Sequence, residues 1–134
     1  EYDIEDYVSL LQAIMMQESG GKGNDPMQSS ESVYNTEYPQ VPNGITNPEY
    51  SIQVGVHTFA DCLQMAQVQN TSDTEHIYLA LQGYNYGTGY ITWAINNFNG
   101  YSKYNAQLFS DNKKAELHTN IMEIHSTLIM SCAM

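Results

Sequence analysis

Glu18 stands where an acid is not expected. Ile14 and Met15 precede it by four and three residues and Leu11 by seven, so it continues an apolar helical stripe instead of the wet face. Gly20-Gly21 follow at once, and residues 22–47 are rich in Gly, Asn, Pro and Ser. A half-buried carboxyl at a helix end has its charged form disfavoured by desolvation, which raises its pKa towards the range of a proton donor. Beside a polar loop, in a chain with 11 Tyr and 1 Trp, such a donor suits cleavage of a glycosidic bond. Asp25 and Glu31 are the candidates for a second carboxylate. Either could activate a water if its carboxyl stood about 6.5 to 9.5 Å from that of Glu18. Asp25 is the preferred partner; its competing role is turn chemistry, since Asp-Pro pairs order loops through side-chain to backbone bonds.

Five helices must position these groups. The first is expected over residues 4–19, with Ile4, Tyr7, Val8, Leu11, Ile14 and Met15 on one face, Asp3 as N-cap and Gly20-Gly21 as the stop. Pro26, Pro39 and Pro42 exclude a long helix from the loop that follows, leaving room for a helical turn over 28–34 and a short hairpin within 22–45. A loop this long beside Glu18 points to function. Asn47-Pro48-Glu49 pairs an N-cap with Pro at the first helical position and opens a second helix. Its expected stripe is Ile52, Val56, Phe59, Leu63 and Ala66, with Cys62 alongside, ending near Val68. Ser72 to Glu75 has capping-box spacing ahead of a third helix carrying Ile77, Ala80, Leu81 and Tyr84. A fourth covers 90–97, and Ser102 caps a fifth through Tyr104 and Leu108. The fold class is mostly α.

Composition narrows the partners. A length of 134 residues makes one domain, and a net charge of −11 with four Lys and no Arg excludes nucleic acid and anionic membranes. No run of 18 apolar residues occurs, and Glu1-Tyr2-Asp3-Ile4-Glu5-Asp6 lacks the basic region of a signal peptide, so any export signal or anchor is expected outside this stretch. Cys62 and Cys132 match no metal or redox spacing; two free thiols or one bridge remain open. His57, His76, His118 and His125 lack ligand spacing, so no metal site and no cofactor are expected. The run Ser29-Ser30 with Ser32 lacks a nucleophile elbow, which argues against a serine hydrolase.

Four ordered blocks add a resemblance. Glu18-Ser19-Gly20-Gly21, then residues 24–32 (Asn-Asp-Pro-Met-Gln-Ser-Ser-Glu-Ser), then 48–56 (Pro-Glu-Tyr-Ser-Ile-Gln-Val-Gly-Val), then 80–94 around Tyr84-Asn85-Tyr86-Gly87 resemble the lysozyme-like domain of the CwlT family. These are bifunctional cell-wall hydrolases from conjugative elements of Gram-positive bacteria. More distantly the blocks are similar to soluble lytic transglycosylases and goose-type lysozyme. The resemblance implies a lysozyme-like fold with a long loop after the first catalytic helix. It makes Glu18 the acid that protonates the glycosidic oxygen between N-acetylmuramic acid and N-acetylglucosamine in peptidoglycan. Gln28 on the Met-Gln motif, with Ser29 and Glu31 beside it, is expected in the substrate cleft. Tyr84 and Asn85 match a Tyr-Asn pair opposite the acid, with the amide able to hold an acetamido group. Tyr86 and Tyr90 offer faces to sugar rings, while Trp93 packs inside. An extracellular, wall-bound location follows. A lytic transglycosylase with the same Glu18 and a silent peptidoglycan-binding module are the alternatives.

The resemblance runs over residues 1–110 and stops. Family members continue to a Tyr-Gly-Asp-Pro ending and a C-terminal cysteine-peptidase domain, neither of which is visible here. Residues 121–134 can be back-translated so that a shifted frame spells that ending, so 111–134 is read as a divergent tail and a frame change is expected between Ser110 and Ile121. Its own spacing, Leu117, Ile121, Ile124 and Leu128, is helical.

Overall fold

A computed structural model of the chain describes residues 4–114. A 3-10 turn, Ile4–Tyr7, leads into α1, Val8–Ser19; then follow α2, Pro48–Met65, α3, Thr74–Tyr86, and α4, Thr88–Phe98. Residues 103–114 form α5, whose described part ends there. No strand occurs among the described residues, so the hairpin considered for 22–45 is absent. That segment is built instead of successive turns, including Ser32 N–H to Ser29 O and Asn35 N–H to Ser32 O, both 3.0 Å. The Asp3 cap, residues 115–134 of the divergent tail and Cys132 lie outside the described residues.

Local chemistry explains most boundaries. Gly20 ends α1 in the left-handed region at φ 67° and donates its N–H to Met16 O. Asn47 caps α2 by accepting from the N–H groups of Glu49 and Tyr50 at 3.0 and 3.3 Å. Ser102 Oγ accepts from Asn105 N–H at 3.0 Å, the cap foreseen for α5. The capping box before α3 does not form. Asp73 is the N-cap residue, and its carboxylate is already engaged by Gln69 N–H at 3.0 Å and by His76 Nδ1 at 2.7 Å. The His76 bond, followed by that of Gln69, holds this carboxyl below the usual range.

α3 packs against both α2 and α4, and Ile14, Phe59, Leu63, Ile77, Ala80, Ile91 and Ala94 meet in one core. Cys62 is fully buried there, with no disulfide among the described residues, and burial, with the Asp61 charge second, pushes its thiol up to about 12. The buried face of α2 keeps the expected Phe59, Leu63 and Cys62, with Ala66 just beyond the helix, but is turned at its start. Ile52 is 41% exposed, whereas Ser51, Val54, Gly55, Phe59, Cys62 and Leu63 are buried. The cause is the loop: Met27 lies so close to Gly55 that an added Cβ would stand 2.7 Å from Met27 Cβ. Small residues for a close backbone approach, and not the longest apolar side chains, select this face. Gly55→Ala is expected to cost about 1–3 kcal/mol by overpacking, read as a lower urea midpoint with an unchanged m-value. A midpoint equal to wild type would show that the loop yields freely.

Candidate active site

Three helices hold the loop through hydroxyls. From the end of α1, Ser19 Oγ accepts from Gly21 N–H at 3.0 Å and donates to Pro26 O at 2.7 Å. From α2, Ser51 Oγ donates to Asp25 Oδ1 at 2.7 Å and accepts from Met27 N–H at 3.1 Å. From α3, Tyr84 OH donates to Met27 O at 2.7 Å. Asp25 is the centre of this arrangement, only 3% exposed. Its Oδ1 also accepts from Ser29 N–H at 3.0 Å, and its Oδ2 accepts from Ser30 Oγ at 2.5 Å. Ser30 Oγ in turn accepts from Ile45 N–H at 2.9 Å, tying the far end of the loop to the same carboxylate.

The outer turns are fixed by amides. Buried Asn35 donates to Ser30 O at 2.7 Å and accepts from Tyr38 N–H at 3.0 Å. Gln28, at φ 48°, donates through Nε2 to Asp25 O at 3.0 Å and to Asn43 Oδ1 at 2.8 Å. Thr58 Oγ1 donates to Val54 O at 2.8 Å, so the 2.7 Å contact with Ser32 uses the serine proton.

Between this loop and the end of α3 lies a cleft of about 640 Å³, lined by Glu18, Gln28, Glu31, Asp61, Asn85 and Tyr86 among others. Half-buried Glu18 stands at its junction with a smaller pocket of about 160 Å³, and Tyr84 and Asn85 line both. Burial, with the Asp25 charge second, raises the Glu18 carboxyl above its ordinary value. Burial likewise raises the Tyr84 phenol, helped by the charges of Glu18 and Asp25. That hydroxyl therefore acts as a donor, already spent on Met27 O. Tyr84→Phe is expected to lose about 1–3 kcal/mol, since a shielded carbonyl is left without its partner. Thermal unfolding would measure it, and a shift in melting temperature indistinguishable from zero would assign the phenol to substrate alone.

The structure brings Glu18, Asp25, Gln28, Ser29, Glu31, Tyr84, Asn85 and Tyr86 to the cleft wall. Tyr90 is a correction: it is fully buried, its OH donates to Asn105 Oδ1 at 2.7 Å, and its ring packs on Tyr86, Trp93 and Phe109. Glycine at 87 starts a new helix, which turns Tyr90 inward although Tyr86 stays at the cleft. Asp25 and Ser29 also differ from expectation in their bonding. Both Asp25 oxygens are occupied, and Ser29 Oγ donates to Ser51 O at 2.8 Å, so these side chains order the loop. Gln28 likewise directs its amide N–H groups at the loop. Sequence reasoning missed Ser19, whose signal was its place beside Glu18 at a helix stop. It also missed Asp61, which accepts from Tyr34 OH at 2.6 Å across 27 residues and gives no local signal. Among the described residues no group of His, Cys, Asp and Glu could hold a metal, and no helix is long and apolar enough to cross a membrane.

Comparison with known proteins bears on this geometry. The chain is 40% identical over 105 residues to the bifunctional muramidase/DL-endopeptidase CwlT of Bacillus subtilis (strain 168), covering 78% of this chain and 28% of that protein. It is 34% identical over 119 residues to the uncharacterized membrane protein YocA of the same organism, covering 87% of this chain and 49% of YocA. Pneumococcal vaccine antigen A of Streptococcus pneumoniae serotype 4 (strain ATCC BAA-334 / TIGR4) is 34% identical over 88 residues, 66% of this chain and 39% of the antigen. The chain thus spans half or less of each of these relatives. No solved structure matches it significantly. The family model described as lysozyme-like matches residues 1–134, and with the all-helical fold and the acid-bearing cleft this chain belongs to the lysozyme-like family.

Proposed function

We propose that this domain cleaves the glycosidic bond between N-acetylmuramic acid and N-acetylglucosamine in peptidoglycan, working at the cell wall outside the membrane, with Glu18 as general acid. The observation that carries the reading is a carboxyl of raised pKa where a cleft of about 640 Å³ meets a pocket of about 160 Å³. Membership of the lysozyme-like family and 40% identity to a named muramidase support it. In this mechanism the Glu18 proton passes to the leaving oxygen as the C1–O bond breaks, and the sugar left behind develops oxocarbenium character.

The attacking group distinguishes two readings. For hydrolysis a base must activate water, and with Asp25 saturated by hydroxyl and amide donors the exposed carboxylate of Glu31 is the one offered by the loop. The same saturation favours a second reading, in which the muramic acid 6-hydroxyl attacks C1 and leaves a 1,6-anhydro end, the reaction of a lytic transglycosylase. Product masses from purified peptidoglycan separate them: reducing muramic ends that depend on Glu31 support hydrolysis, and anhydro ends insensitive to Glu31→Gln support transglycosylation. Wall binding without cleavage, unchanged by Glu18→Gln, would replace both with a binding module.

A further inference from the structure

The large cleft continues along α2 beyond the residues that serve the acid. Ser51, near the start of α2, bonds to Asp25, and Thr58, Asp61 and Met65 line the cleft further along the same helix. At about 1.5 Å per residue, Asp61 stands about 15 Å along the axis from Ser51. It holds the loop there: Tyr34 OH donates to Asp61 Oδ2 at 2.6 Å, and the Tyr34 ring stacks on exposed His57 at 5.3 Å between centroids. Ser32 and Thr58 join beside them at 2.7 Å. These contacts bring Val33, 78% exposed, and Tyr34 to the same cleft wall as Met65, and all three are exposed apolar side chains. The other oxygen of Asp61 accepts no hydrogen bond among the described residues. Glu18, Asp25 and Glu31 also line the cleft, and no lysine or histidine does.

An aliphatic chain ending in an ammonium matches this group of side chains. Val33 and Met65 suit its methylenes, the Tyr34 ring attracts a cation, and the open oxygen of Asp61 accepts from the ammonium. A neutral sugar ring would leave that carboxylate without an opposite charge. In peptidoglycan such a chain occurs on the stem peptide that hangs from the muramic lactyl group, as the side chain of its diamino residue. An extended peptide advances about 3.3–3.6 Å per residue. The diamino residue, third in the stem, therefore comes about 10 Å from its lactyl attachment, within the length of α2 between Ser51 and Asp61. We propose that Val33, Tyr34, Asp61 and Met65 form a stem-peptide subsite that takes the ammonium of the diamino residue. Strands whose amine is free are then favoured over strands in which a cross-link has made it an amide. The proposal rests on peptidoglycan being the substrate, and it gives the Tyr34 to Asp61 bond a role beyond tying the loop to α2.

The test uses uncross-linked glycan strands with intact stems, before and after acetylation of the diamino amine, on wild type and Asp61→Asn. Asparagine keeps an oxygen for the Tyr34 hydroxyl and removes the charge, so the loop stays tied to α2. Wild type should favour the free-amine strands by about fivefold in kcat/KM, expressed mainly in KM, the worth of one exposed ion pair with a cation–π contact. In Asp61→Asn the ratio should fall to about twofold or less because the free-amine strands lose their advantage. A ratio near one in wild type, or one that survives in the variant, overturns the proposal. Calorimetric binding of both preparations to Glu18→Gln and to Glu18→Gln/Asp61→Asn separates the subsite from the catalytic reading. Binding that discriminates through Asp61, with no cleavage by wild type, keeps the subsite and removes the catalytic role. Equal binding of the two preparations to Glu18→Gln, or none, sinks the subsite whatever the activity.

Discussion

Glu18→Gln is expected to lower the turnover of peptidoglycan by roughly 10²–10⁴-fold, the usual worth of a positioned general acid, while strand binding survives. The wild-type rate should hold through mildly acidic pH and fall as pH rises through the elevated pKa of Glu18, because only the protonated carboxyl can donate. On stability the substitution acts in the opposite direction, although the pH dependence runs the same way. With its folded-state pKa raised by burial and by Asp25, Glu18 favours the folded state fully below its ordinary value of 4.5, and that contribution is lost as pH rises through the raised pKa. Above the raised pKa the ionised acid is therefore a burden, and there the glutamine variant should melt at a higher temperature than wild type. Near pH 4 the advantage should disappear. A variant that keeps its activity, or melts lower above the raised pKa, would remove Glu18 from the role assigned to it.

Asp25→Asn has the second large effect, of a different kind. The carboxylate accepts from two serine hydroxyls and one backbone N–H in a buried setting. Asparagine offers one acceptor oxygen and turns an NH₂ donor towards groups that are themselves donors. A loss of about 3 kcal/mol or more is expected from the broken network, together with loss of wall-cleaving activity, since Gln28, Ser29 and Glu31 all hang from the same turn. Urea unfolding separates this from a purely chemical role. An Asp25→Asn protein of wild-type stability and no activity would make Asp25 a catalytic base after all. Ser30→Ala, which removes one donor and leaves the charge, should give a smaller drop in both stability and rate.

Helical periodicity was sufficient to place Glu18 on the inner side of α1 and to end that helix at Gly20, because both follow from contacts within about two turns of chain. The Asn47-Pro48 start of α2 is equally local. What escaped depended on contacts between distant segments. The face that α2 buries is chosen by Met27 and Asp25 pressing on Gly55 and Ser51, so a stripe drawn through Ile52 and Val56 could not find it. Asp25 read as a catalytic partner because nothing within the loop reveals that Ser51, 26 residues on, will occupy it. Tyr86 and Tyr90 have the same chemistry and nearly the same position, yet Gly87 separates their helices and sends one to the cleft and the other into the core.

The loop that shapes the cleft is stitched by hydroxyls and amides gathered around one buried carboxylate, and no lysine side chain enters that network. Mobile ions screen exposed charges over about 8–10 Å near physiological ionic strength but scarcely reach a desolvated carboxylate. The cleft should therefore keep its geometry from dilute buffer to concentrated salt. A surface of net charge −11, by contrast, repels itself most in dilute buffer. Added salt then relieves the surface without loosening the site.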